Sequence, residues 1–237
     1  MDIGGDLERE LKLARQALEQ AREAPAHDHM HATYFVMAPL YRLGRWDEIE
    51  PVVMEHLAAF DEETVDMSCP FTRSGPVVGA IVLERLGRAE ATRMAAERIA
   101  PNEHEPGLVE AWMAERAMRA GDAVAARDIA ARTMGLVRDT VLEPPYEVPV
   151  LVEAIASLSD WQALDAILPQ ARVNASRIAW LTPAIERAEA MRLMADGDRT
   201  RARAAFERAL ATYRRLGMVA EETATLQAMA GATRADA

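Results

Sequence analysis

The feature that most constrains this fold is a break that recurs along the chain. Five stretches share one pattern: an apolar helical segment, a stop at glycine or serine, then a second helix opening on polar residues. They read "YRLGRWDEI" (41–49), "LERLGRAEA" (83–91), "AMRAGDAVAA" (117–126), "IASLSDWQAL" (155–164) and "LMADGDRTRA" (193–202). The punctuating residues are Gly44, Gly87, Gly121, Ser159 and Gly197, with successive separations of 43, 34, 38 and 38 residues. Two helices of about 15 residues and two short turns fill that length. A glycine just past a helix end takes the left-handed conformation that satisfies the last carbonyls. An Asp or Arg within two residues then opens the next helix, so consecutive helices are expected to run antiparallel.

Pro70, Pro106, Pro145 and Pro183 fall near the expected starts of first helices, where a missing N–H costs little. The pattern predicts helices over 6–23, 29–43, 46–60, 70–86, 89–100, 107–120, 122–138, 147–158, 160–173, 180–195, 199–216 and 218–230. Looser joints fall at 61–68, 101–106 and 142–147, and none is long enough to divide the chain. One domain over 1–237 is therefore expected.

Composition agrees with an all-α reading. No β-branched run of period two marks a strand. Alanine is abundant and aromatics make up 5 %, which suits close approach of helix axes. Half of the residues are hydrophobic, yet no apolar run approaches the 18 to 20 or so that span a bilayer. The opening "MDIGGDLERE" lacks the basic and apolar parts of a signal peptide. A cytoplasmic protein without a membrane partner is expected, and the single Cys69 excludes an internal disulfide. The net charge of -11 argues against direct nucleic-acid binding. Residues 199–216 carry six arginines, but these spread around the helix and read as a solvated exterior.

The segment "GDRTRARAAFERAL" (197–210) resembles the second half of the tetratricopeptide (TPR) repeat, with Ala202, Phe206 and the Ala209–Leu210 pair following Gly197. The first stretch keeps Tyr41, Gly44 and Trp46, and Trp161 repeats the aromatic after the break. Ile49, Thr92 and Leu164 depart from the family's small alanine, and most separations exceed its 34 residues. The resemblance covers about residues 30–216. It implies a right-handed superhelical TPR-like solenoid of antiparallel helix hairpins. The cadence of "LYRLGRWDEI", "LERLGRAEA" and "YRRLGMVAEE" is also similar to C-terminal arrays of bacterial ATPase-type regulators and nucleotide cyclases.

Candidate chemistry begins with "HDHMH" at 27–31. If a helix opens near Asp28, His27 lies outside it, His29 turns to another face, and Asp28 serves as N-cap. A metal asks for three or four convergent ligands, and no nearby cysteine or second histidine pair completes the set, with His56 and His104 far along the chain, so no metal or cofactor is expected. Cys69 in "SCPFTR" precedes a helix-opening Pro70, with Arg73 too close for a phosphate-cradling loop and no partner base in view. The pairs Glu62–Glu63 and Glu221–Glu222 point apart on a helix and read as solvated charge. No phosphate loop, dinucleotide fingerprint or nucleophile elbow occurs, so an enzyme is not expected.

In the TPR-like register, first-helix side chains line a concave face. Counting back from each break puts Tyr34, Tyr41, Arg42, Glu84, Glu115, Arg119, Glu153 and Arg187 there. Such a face suits an extended peptide or a helix. The expected function is a non-catalytic protein-interaction or sensory module of bacterial signalling, binding a protein or peptide partner. The alternatives are a small-molecule sensor with a pocket inside the superhelix, and a helical enzyme using Cys69 or the 27–31 histidines.

Overall fold

The repeated breaks recur as one local structure. The computed structural model describes residues 3–60, 69–99, 107–133 and 145–234. In sequence order its helices are α1 (Ile3–Ala21), α2 (Ala26–Leu43), α3 (Ile49–Phe60), α4 (Pro70–Arg85), α5 (Ala89–Ala96) and α6 (Leu108–Arg119). Then follow α7 (Ala123–Thr133), α8 (Glu147–Ser157), α9 (Trp161–Ala175), α10 (Leu181–Ala195), α11 (Arg199–Leu216) and α12 (Val219–Arg234). A 3-10 turn, Trp46–Glu48, leads into α3, and no strand occurs among the described residues. Every expected helix is present over the described residues, with 134–138 of the helix expected at 122–138 lying outside them. The joint at 61–68, with Glu62 and Glu63, and the joint at 101–106, with His104 and Pro106, lie outside the described residues.

All five punctuating positions adopt positive φ, from 55° at Ser159 to 85° at Gly121. At Gly44 the amide donates to Tyr41 O at 3.1 Å and the next amide, of Arg45, reaches back to Leu40 O at 3.0 Å. This paired cap satisfies two carbonyls that the helix end leaves open. The same pair of bonds recurs at Gly87, Gly121, Ser159 and Gly197, and a sixth time at Gly217. Ser159 carries the strain that glycine avoids at such a φ. Aspartates then open the following helices: Asp122 accepts from Ala125 N, Asp160 from Ala163 N and Asp198 from Arg201 N.

The even-numbered helices form a row, with α2 on α4, α4 on α6, α6 on α8, α8 on α10 and α10 on α12. Each odd-numbered helix from α3 to α11 packs against an even neighbour. Small side chains make these approaches close, as at Ala95, Ala111, Ala114, Ala126 and Ala130, all buried. On α4, a Cβ at Gly75 would stand 2.1 Å from the His56 ring, and one at Gly79 would stand 2.7 Å from Val53. The two glycines therefore set how near α4 comes to α3.

The row is tied to its own start. Trp180 Nε1, just ahead of α10, donates to Tyr41 O in α2 at 2.8 Å. Ala179 N donates to Arg42 O at 2.8 Å, and Arg42 Nε to Arg177 O at 3.0 Å. The Trp180 ring meets Trp46 edge-on at 4.8 Å and Tyr41 at 5.5 Å. Burial of these rings stabilises the contact by about 1.5–3 kcal/mol each on transfer terms alone. The arginines of 199–216 are exposed around α11, as their spread predicts. No described helix is long and apolar enough to cross a membrane.

Candidate functional site

Where the even helices face one another, they place three arginines and three glutamates in mutual contact. Arg85 ends α4, Glu115 and Arg119 stand on α6, Glu153 on α8, Arg187 on α10 and Glu221 on α12. Arg85 Nη2 lies 2.7 Å from Glu115 Oε2 and 3.4 Å from Glu153 Oε2, and its Nη1 lies 2.9 Å from Glu221 Oε1. Arg119 reaches Glu115 at 2.9 Å and Glu153 at 2.5 Å. Arg187 reaches Glu221 at 2.8 Å and Glu153 at 3.7 Å. The set is neutral in total, as a dry interior requires.

Aromatic faces complete the arginine environment. The Arg85 guanidinium sits over Trp180 at 4.9 Å and Trp46 at 5.5 Å, and Arg187 sits over Tyr213 at 5.7 Å. Burial works against the Arg85 charge, but Glu115, Glu153 and Glu221 outweigh it and raise its pKa. Glu153 is opposed by burial yet held down to about 2 by Arg85, Arg119 and Arg187. Glu115 goes the other way: burial raises its pKa beyond what Arg85 and Arg119 recover. The difference follows from geometry, since Glu153 meets three arginines and Glu115 two. Burial also raises the Tyr213 phenol.

Four of the eight residues expected on a concave face, Glu115, Arg119, Glu153 and Arg187, are thus brought together, spent largely on one another. Tyr34 and Tyr41 are buried between helices, Tyr34 beside Phe35 and Phe71, Tyr41 beside Tyr146 and Trp180. Arg42 is half-buried, pairing with Glu10 and capping Arg177 O. Glu84 stays outside the cluster, and its neighbour Arg85 enters it. Arg85 was legible by register: it precedes Gly87 by two residues, as Arg119 precedes Gly121. Glu221, expected to be solvated, is buried, while Glu222 points outward to Arg214 at 2.7 Å. Beside the cluster, a cleft of about 170 Å³ is walled by Trp46, Leu86, Met218 and Glu221.

A second constellation corrects the reading of the histidines. Helix α2 opens at Ala26 behind Pro25, so His27 lies inside it and Asp28 is a first-turn residue rather than the N-cap. His27 and His31 then share one face, with ring centroids 4.4 Å apart. His29 does turn away, to Glu55 at 2.9 Å. Cys69, capping position of α4, comes to 2.8 Å from His31 Nε2. A cysteine is therefore near the histidines, and an imidazole is near the thiol, contrary to both sequence expectations. Their contact depends on α2 packing on α4, across 38 residues that no local pattern bridges.

No family model, no curated protein and no solved structure matches the chain. The structure itself defines an all-helical protein whose neighbouring helices pack in sequence order, compatible with a helical repeat.

Proposed function

We propose that the protein is a TPR-like module, a right-handed superhelix of antiparallel hairpins, that binds a protein or peptide partner without catalysis in bacterial signalling. One observation carries this reading: the charge cluster is graded in exposure. The side chains of Arg85 and Glu115 are 2 % exposed, whereas Arg119 reaches 27 % and Glu153 13 %. An arginine held at the edge of a rigid, internally neutral network is preorganised, so little ordering is lost when a partner carboxylate engages it. Arg42 and Glu84, both half-buried, add charge at the ends of neighbouring helices. The test is cross-linked capture of partners by the full chain and by Arg119→Glu and Arg42→Glu. Capture should fall at least about tenfold in Arg119→Glu, the loss of one interfacial charge-assisted contact. Unchanged capture in both variants overturns the reading.

The cleft beside Trp46 and Glu221 favours a second reading, a small-molecule sensor. Trp46 Nε1 is buried there without a hydrogen-bond partner, and Glu221 links the wall to the cluster. A ligand in that cleft would raise the melting temperature of the wild type but not of Trp46→Leu.

A further inference from the structure

We propose that His27, His31 and Cys69 form a binding site for a thiophilic divalent cation of the zinc class, with a fourth position open to water or an external ligand. Each residue offers one ligand atom, and these atoms lie within 4.8 Å of one another. A tetrahedral ion with two nitrogens and a sulfur needs donor separations of about 3.3–3.6 Å, given bonds of about 2.0–2.3 Å. Small side-chain rotations close that gap, and no helix has to move. The ligand types are also matched: imidazole and thiolate select zinc over magnesium or calcium.

Three further observations point to the same place. His27 Nδ1 is buried and has no hydrogen-bond partner, so a lone pair or proton is left unspent inside the cluster. The two histidines are four apart on one helix, the spacing that presents both rings to one ion. Phe71 packs edge-on against His31 at 5.3 Å, restricting the ring. His29 is committed to Glu55 and the buried His56 to Thr33, and neither belongs to the group of converging donors. On binding, the Cys69 thiol gives up its proton to solvent, the His31–Cys69 contact opens, and both sulfur and nitrogen turn to the metal. The ion would clamp α2 to the start of α4.

The experiment uses the untagged full chain, stripped of metal under reducing conditions and titrated with cobalt(II), then zinc(II). The expected result is one equivalent of cobalt producing a sulfur-to-metal charge-transfer band and intense tetrahedral visible bands, displaced by one equivalent of zinc. Cys69→Ser should abolish the charge-transfer band. His27→Ala and His31→Ala should each weaken zinc binding by more than about a hundredfold, beyond what an outer-shell change does. His29→Ala should bind as the wild type. Alkylation of Cys69 in the wild type, which requires no variant to fold, should slow when zinc is added. Absence of the band, or equal zinc affinity in wild type and Cys69→Ser, overturns the proposal. Alkylation unchanged by zinc also overturns it.

Discussion

Arg85 Nη1 and Glu221 Oε1 are 2.9 Å apart although 136 residues separate them in the chain. Arg85 closes α4 and Glu221 opens α12, so this pair fastens the last helix to the interior of the row. Glu221 also holds Arg187 at 2.8 Å, which makes it the shared counter-ion of two buried arginines. Removing its charge takes a counter-ion from each: Arg85 keeps Glu115 and Glu153, and Arg187 keeps only the longer contact to Glu153. Glu221→Gln is expected to destabilise the fold by about 3–5 kcal/mol, the cost of breaking a buried ion pair by removing one partner. Chemical denaturation of wild type and variant measures it. Glu222→Gln, its half-buried neighbour paired with the exposed Arg214, should lie within about 1 kcal/mol of wild type.

The two central carboxylates should respond unequally to neutralisation. Arginines hold Glu153 down to about 2, whereas burial pushes Glu115 up, so the charge on Glu115 is the less favoured of the two. Glu153→Gln is expected to cost about 3–5 kcal/mol, and Glu115→Gln about 1–3 kcal/mol. Urea midpoints of the two variants give the order directly. A reversed order would place the main counter-charge at Glu115.

Acid sensitivity should come in part from His56. The ring is fully buried, with Nδ1 2.8 Å from Thr33 Oγ1 and Nε2 3.4 Å from Thr72 O. Burial lowers its pKa from 6.5 to about 4, a direction that His29 and His31 reinforce. The folded protein therefore keeps His56 neutral where the unfolded chain already takes up a proton. Stability from this group is complete above pH 6.5 and is lost as the pH falls from there to about 4. The loss is about 3 kcal/mol over that window. The unfolding free energy of His56→Gln, followed between pH 7 and 4, should lack that part of the wild-type slope.

The approach of α4 to α3 has no room for a methyl group. Gly75→Ala puts a Cβ 2.1 Å from a ring held on both sides, so it should cost about 1–3 kcal/mol. Because the three nearest atoms all belong to the His56 ring, Gly75→Ala in a His56→Ala background should cost much less. The double-mutant cycle measures that coupling.

The helices and their caps were readable because both are local. Gly44, Gly87, Gly121, Ser159 and Gly197 each end a helix within the span that one repeated bond pair covers. The concave register was half readable for the same reason: counting back from a break finds Glu115 and Arg119 but steps to Glu84 instead of Arg85. Glu221 escaped because adjacency to Glu222 says that the two diverge, not which of them turns inward. The His27–His31–Cys69 corner was hidden twice. The start of α2 lies three residues earlier than the polar pattern indicates, and Cys69 arrives through helix packing alone. Local chemistry writes caps into sequence, whereas distant side chains meet only after the helices have packed.

The neutral cluster has a consequence for how such a chain can change length. An array joined only by apolar seams can gain or lose a unit, since each interface resembles the next. Here α4, α8, α10 and α12 each supply one member of one balanced set and α6 supplies two. Deleting or duplicating α4, α8, α10 or α12 leaves an ion in the interior without its complement, whereas α6, with Glu115 and Arg119, is neutral by itself. Charge balance therefore constrains which helices the row can gain or lose.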